Sequence, residues 1–226
     1  HPDGHARVDL DPLRPLADAE HHDAELPAGR LGHPDRPVQQ EPGGAGIRPV
    51  GQVGDGEVGD GRHAHLRGAG PGADARALGL YFASGSQHFE HRVVARHEAP
   101  QAYSNLLYKG AIQDTAHTIF FGNLVVPPGA PGTDAYQTNR NLVLNDGARA
   151  DTIPFLEIET AEVKCSHAGA VGRVDDEHLF YLRSRGVPEA VAKRLIVMGF
   201  LQEVLEQVTL EELRTELEDA VRGKLA

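Results

Sequence analysis

Between residues 80 and 174 the apolar residues come in short clusters, each closed by a turn signal, and none is prolonged into a helical period. The clusters are Tyr103 to Leu107, Ile119 to Phe121, Leu124 to Val126, Leu142 to Leu144, Phe155 to Ile158 and Val163 to Cys165. Gly110, Gly122, Pro127-Pro128-Gly129, Asn145-Asp146-Gly147 and Gly169 punctuate them. Short strands joined by turns, with no helix between them, leave two architectures, a sandwich or a β-solenoid. The clusters recur every ~10–20 residues without a clean repeat, and the solenoid is the preferred expectation.

Upstream the composition changes. All twelve aromatic residues and all four lysines lie beyond position 80, whereas residues 1–79 hold 15 of the 26 glycines and 9 of the 15 prolines. Neither hydrophobic period is sustained there, so this third is expected to be irregular: a Gly/Pro-rich stretch unable to offset its ordering entropy, or a stretch read out of frame from a GC-rich gene. Its histidines (His1, His5, His21, His22, His33, His63, His65) match no ligand spacing, and no cysteine accompanies them. Gly51 to Gly61 is glycine-rich but lacks the lysine and following helix of a phosphate loop, and no such loop occurs elsewhere in the chain. The chain is therefore not expected to bind nucleotide.

After residue 174 the period becomes helical. Asp175-Asp176 offer an N-cap for a helix ending at Arg185, with Gly186 beyond it. Pro188 is placed to start a second helix over 189–207, whose apolar residues from Val191 to Leu205 cover more than one narrow stripe and so predict cover on two sides. Thr209 and Glu212 have capping-box spacing for a third, with Leu210, Leu213, Leu217 and Val221 as its stripe. Such helices either close on themselves or leave apolar surface for another protein. The expected domains are 1–79, 80–174 and 175–226.

A net charge of −11, from 22 basic and 33 acidic residues, argues against nucleic-acid or anionic-membrane partners. No apolar run is long enough to span a bilayer and no secretory signal is evident. The lone Cys165 rules out an internal disulfide and fits a reducing compartment, so a cytoplasmic protein is expected.

Two pairs of side chains invite chemistry. His88 and His91 are three apart in a segment that reads as strand, which suggests a surface role. Cys165 and His167 are two apart, so a strand projects both from one face with Cβ atoms about 6–7 Å apart. Thiolate and imidazole suit iron, but iron–sulfur clusters generally take about four protein ligands. Either there is no cluster, with Cys165 a small buried hydrophobe and His167 a hydrogen-bonded strand residue, or another chain completes the site.

Three strings bear on that choice: His97-Glu98-Ala99-Pro100 with Ser104 and Tyr108-Lys109-Gly110; Thr133 to Leu142 followed by Ala150 to Ile158; and Val163 to His167 leading through Gly172 to Leu179 to Gly186. Together they resemble the SufB/SufD family of iron–sulfur cluster assembly proteins, over roughly 80–226. Within it, Lys164-Cys165-Ser166-His167 and the absence of further cysteines are more similar to SufD than to SufB, although a SufB-like role is the alternative. The resemblance implies a right-handed parallel β-helix core with a C-terminal α-helical subdomain, and a non-catalytic scaffold subunit. It further implies a SufB-like partner on the β-helix core, a SufC-like ABC ATPase on the C-terminal helices, and a transient iron–sulfur cluster shared with a partner chain, with His167 and, more weakly, Cys165 as its ligands here. The rival from another class, a β-helix enzyme acting on polysaccharide, would draw its acids from Asp134, Asp151, Glu157 and Glu159. It would need aromatic sugar platforms, and the chain has no tryptophan.

Overall fold

The computed structural model describes the backbone of residues 6–9 and 47–52 and, continuously, residues 60–225. His1, His5, His21, His22 and His33, and most of the stretch expected to be irregular or misread, lie outside the described residues. The described chain runs β1 (Ala6–Asp9), β2 (Ile47–Gln52), β3 (Asp60–Gly68), β4 (Asp74–Ala83), β5 (His88–His97), β6 (Tyr103–Ile112), β7 (His117–Val126), β8 (Asp134–Val143), β9 (Arg149–Ile158), β10 (Lys164–Arg173), α1 (Asp176–Ser184), α2 (Glu189–Leu205) and α3 (Glu211–Lys224).

Consecutive strands do not pair with each other. They alternate between two sheets, β1-β3-β5-β7-β9 and β10-β8-β6-β4-β2, parallel throughout except where β1 meets β3. This is a β-solenoid of about four turns. The register steps from His88 to His117 and on to Arg149, so one coil consumes about 30 residues and two strands. The 10–20-residue spacing seen in the sequence is half a coil, which is why no repeat could be recognised.

The two sheets enclose a core of alternate residues: Tyr81, Phe89, Val93, Leu106, Tyr108, Ile112, Phe120 and Leu124, each nearly inaccessible. Two tyrosines interlock with two glycines across neighbouring coils. Gly79 pairs with Tyr108 and Tyr81 with Gly110; a Cβ on Gly79 would lie 2.1 Å from the Tyr108 ring, and one on Gly110 2.0 Å from the Tyr81 ring. Each ring thus occupies the space that the glycine opposite leaves.

The expected boundary at residue 80 falls inside β4. Upstream of it the inward positions are filled mainly by small residues (Ala64, Leu66, Ala75, Ala77), which complete the core without leaving an aromatic or β-branched signature. His91 is not at the surface: it is buried, stacked on Tyr81 with ring centroids 4.5 Å apart. A spacing of three on a strand sends His88 outward and His91 inward.

The outer face of the second sheet is covered by the helices. Leu78, Leu80, Phe82, Leu107, Ala111 and Leu142 pack against Val197, Leu201, Val204 and Leu205 of α2 and Leu217 and Val221 of α3. Asp175 caps α1 as expected, accepting from the amides of Glu177 and His178, and Gly186 takes the left-handed conformation after it, with φ +83°. Two caps differ from expectation. Pro188 is the N-cap of α2 rather than its first helical residue, and α3 begins at Glu211 with Leu210 as N-cap, one residue too late for the Thr209 capping box to form. α2 touches the sheet, α1 and α3, yet Leu195 remains half-exposed.

Candidate functional site

The last coil differs from those before it. Among the described residues β9 pairs only with β7 and β10 only with β8, so both sheets end here with unpaired backbone edges. Where β5 and β7 alternate between buried and half-buried positions, β9 and β10 are half-buried or exposed along their whole length. Large apolar side chains stand open on these strands and beside them: Phe155 is 48% exposed, Val171 46%, Ile153 41% and Tyr136 38%.

Cys165 and His167 lie on β10. Its register with β8 sets Cys165 beside Ala135 and His167 beside Gln137, both core-facing positions. Strand alternation therefore turns both side chains toward the solenoid interior, but among the described residues no further coil lies over that interior, and His167 remains exposed. Cys165 is half-buried against the core. Burial pushes its thiol pKa up, a backbone hydrogen bond at Ala135 opposes that push, and the Asp134 carboxylate adds to it. Below His167, the buried Gln137 carboxamide donates to the Phe155 carbonyl at 3.1 Å and the Gly122 carbonyl at 3.3 Å, tying the two sheets together one layer down. Gly169, two residues on, lets the strand approach Thr152.

The arrangement brings Cys165 and His167 to one face. Among the described residues, no three His, Cys, Asp or Glu side chains converge as a metal site. Thiol and imidazole are by type a soft and a borderline ligand, two of the about four that an iron–sulfur cluster generally takes.

Of the carboxylates weighed for a polysaccharide enzyme, Asp151 and Glu157 are engaged by neighbouring side chains. Asp151 is held by His117 at 2.7 Å and by Arg149, and its pKa is lowered mainly by the His117 hydrogen bond. Glu157 accepts from Asn123. A second exposed feature lies on α1, where Phe180 and Tyr181 are 73% and 56% exposed beside a shallow concavity lined by Asp176, Glu177, His178 and Ser184.

Two features escaped the sequence reading. One is the apolar rim of β9: Ile153 to Leu156 is apolar on alternate and intervening positions alike, the pattern of a strand covered on both faces. The other is the polar inward row Gln137-Asn139-Asn141 on β8. There Asn141 donates to Asn139, Asn139 donates to the Tyr81 hydroxyl, and that hydroxyl donates back to Asn141.

Residues 57–200 match the family model described as SUF system FeS cluster assembly, SufBD core domain. The chain belongs to the SufBD family. It is 50% identical over 170 residues to an iron–sulfur cluster assembly SufBD family protein of Mycobacterium tuberculosis, covering 72% of this chain and 43% of that protein. It is 31% identical over 176 residues to the iron–sulfur cluster assembly protein SufD of Bacillus subtilis (78% and 40%), and 40% identical over 114 residues to SufD of Escherichia coli (50% and 27%). The matched region thus spans less than half the length of these relatives. Among the described residues no helix is long and apolar enough to cross a membrane.

Proposed function

We propose that this chain is a SufD-like, non-catalytic scaffold subunit of a cytoplasmic SufBCD-type complex, lending Cys165 and His167 to a cluster that a SufB-like partner completes. One observation carries the reading: the coil bearing both donors is the coil that lacks a neighbour. Its interior and its two backbone edges are open at the same end, and Ile153 and Phe155 stand exposed on the outer face of β9 beside them. A partner that adds strands to β9 and β10 satisfies the edges, buries Ile153, Phe155 and Val171, and brings its own thiolates over His167. The cluster is cargo held between two chains, consistent with a ligand set that is incomplete in each.

His167 serves as an imidazole ligand at the exposed side of the coil. Burial disfavours the Cys165 thiolate, and iron or a cationic neighbour favours it. The apolar pair Phe180 and Tyr181 on α1 is the surface offered to a SufC-like ATPase, which supplies the nucleotide chemistry this chain lacks.

Co-expression with SufB-like and SufC-like subunits is the test. The assembled complex acquires a cluster, read by its visible absorption, and His167→Ala lowers that acquisition while the three subunits still co-purify. Unchanged loading in the variant removes His167 from the site. Phe180→Ser/Tyr181→Ser releases the ATPase alone, leaving the SufB-like subunit bound.

A further inference from the structure

Lys109, on the helix-facing side of β6, is a buried cation with only 5% of its side chain exposed. Three groups of α2 surround its ammonium. It donates to the Phe200 carbonyl at 2.8 Å, pairs with the Glu203 carboxylate at 2.5 Å and lies 4.6 Å from the centre of the Phe200 ring. Glu203 also approaches Arg140 on β8, at 3.8 Å. Lys109 and Arg140 are register partners on adjacent strands, so two like charges face each other on neighbouring coils, an arrangement that is unfavourable without a counter-charge. Glu203 straddles both. The lysine beside it holds its pKa below the usual carboxylate range, with burial opposing and Arg140 contributing less.

The rest of the contact between α2 and the sheet is made by apolar side chains, and apolar burial is non-directional, so it specifies their relative slide less sharply than a charge pair does. The geometry points to Lys109, Glu203 and Arg140 as a registration clamp that locks α2 to two successive coils at once, so that the helical layer and the β6–β8 strands move as one body. Lys109 cannot be rehydrated without lifting α2, which makes the clamp selective for one position of the helix. The scaffold reading above gives such a clamp a use, since β8 is the strand next to β10, but the clamp stands on its own geometry.

Amide hydrogen exchange on the full chain tests it with Glu203→Gln, Lys109→Met and the double variant. Glu203 is 48% exposed, and an ordinary surface ion pair there would contribute little. A clamp instead leaves Lys109 stranded opposite Arg140 when the carboxylate is removed. Exchange over 197–205 should then quicken by about tenfold or more in E203Q, while β7 amides keep their wild-type rates. Removing the lysine as well relieves the stranded charge, so K109M/E203Q returns closer to wild type than to E203Q. Exchange in E203Q within about twofold of wild type, or a double variant as loose as E203Q, overturns the proposal. If E203Q does not fold, a folded double variant with a protected α2 supports the clamp, and an unfolded one overturns it. None of these readouts requires a partner or a cluster, so a failed clamp and a failed scaffold reading are told apart.

Discussion

The coil formed by β6 and β7 and the coil formed by β9 and β10 follow the same strand pattern and end in opposite conditions. In the first, Leu106, Tyr108, Phe120 and Leu124 are almost wholly inaccessible because a coil lies on either side. In the second, residues at the equivalent columns (His167 beside Gln137 and Leu106, Leu156 beside Leu124) are half-buried or exposed because one neighbour is absent. Burial in a solenoid is therefore a property of the stack rather than of the strand. An apolar residue at the open end stays exposed because the described coils provide no surface over it.

The sharpest way to break this contrast is to empty a buried place in the inner coil and an open one on the last. Phe120→Ala in the inner coil should cost about 3–5 kcal/mol in chemical denaturation, whereas Phe155→Ala on the outer face of β9 should stay within about 0.5 kcal/mol. Equal losses would mean that Phe155 is enclosed after all. Next, Gly110→Ala forces a methyl into the Tyr81 ring and should destabilise by about 1–3 kcal/mol. Gly172→Ala on β10, with nothing within 4 Å of the added carbon, should be close to neutral by thermal unfolding. A third comparison exchanges stability for association. Ile153→Lys should leave the isolated subunit's melting unchanged and weaken binding to a SufB-like partner by about tenfold or more in titration calorimetry. Unaltered affinity would place the partner elsewhere.

The smallest effect concerns pH. His97 is buried at the corner between β5 and β6, within 2.9 Å of the Ser104 hydroxyl. Burial holds its pKa below the ordinary value, with the Val125 carbonyl pulling weakly the other way. As pH falls below about 6.5 the unfolded chain takes up a proton that the folded chain refuses, so stability is full above that range and declines on acidification before the carboxylates titrate. His97→Gln should flatten the dependence of the unfolding midpoint between pH 7 and 5. A slope unchanged in that variant assigns the effect to other groups.

Much of the fold was legible because turns and alternation are local. Asn145-Asp146-Gly147 marks the turn before β9, Asp175 caps α1, and the helical period after residue 174 is strong. The start of the coils was not legible: Ala75, Ala77 and Gly79 are too small to carry a pattern, and the place of Gly79 is set by the Tyr108 ring a coil away. The same holds at the candidate site. The shared face of Cys165 and His167 followed from strand geometry, but their position on the unpaired coil depends on the whole stacking order. His91 was misplaced because its neighbour in space is Tyr81 rather than its neighbour in sequence.

The reciprocal seating of Tyr81 over Gly110 and Tyr108 over Gly79 bears on how such a protein can change over time. Substituting one member of either pair leaves a hole or a collision in the adjoining layer, so single-site drift is penalised at these four positions while paired exchange is tolerated. The heritable module is consequently two consecutive windings taken together. Recombination or engineering that splices this region should cut outside that doublet.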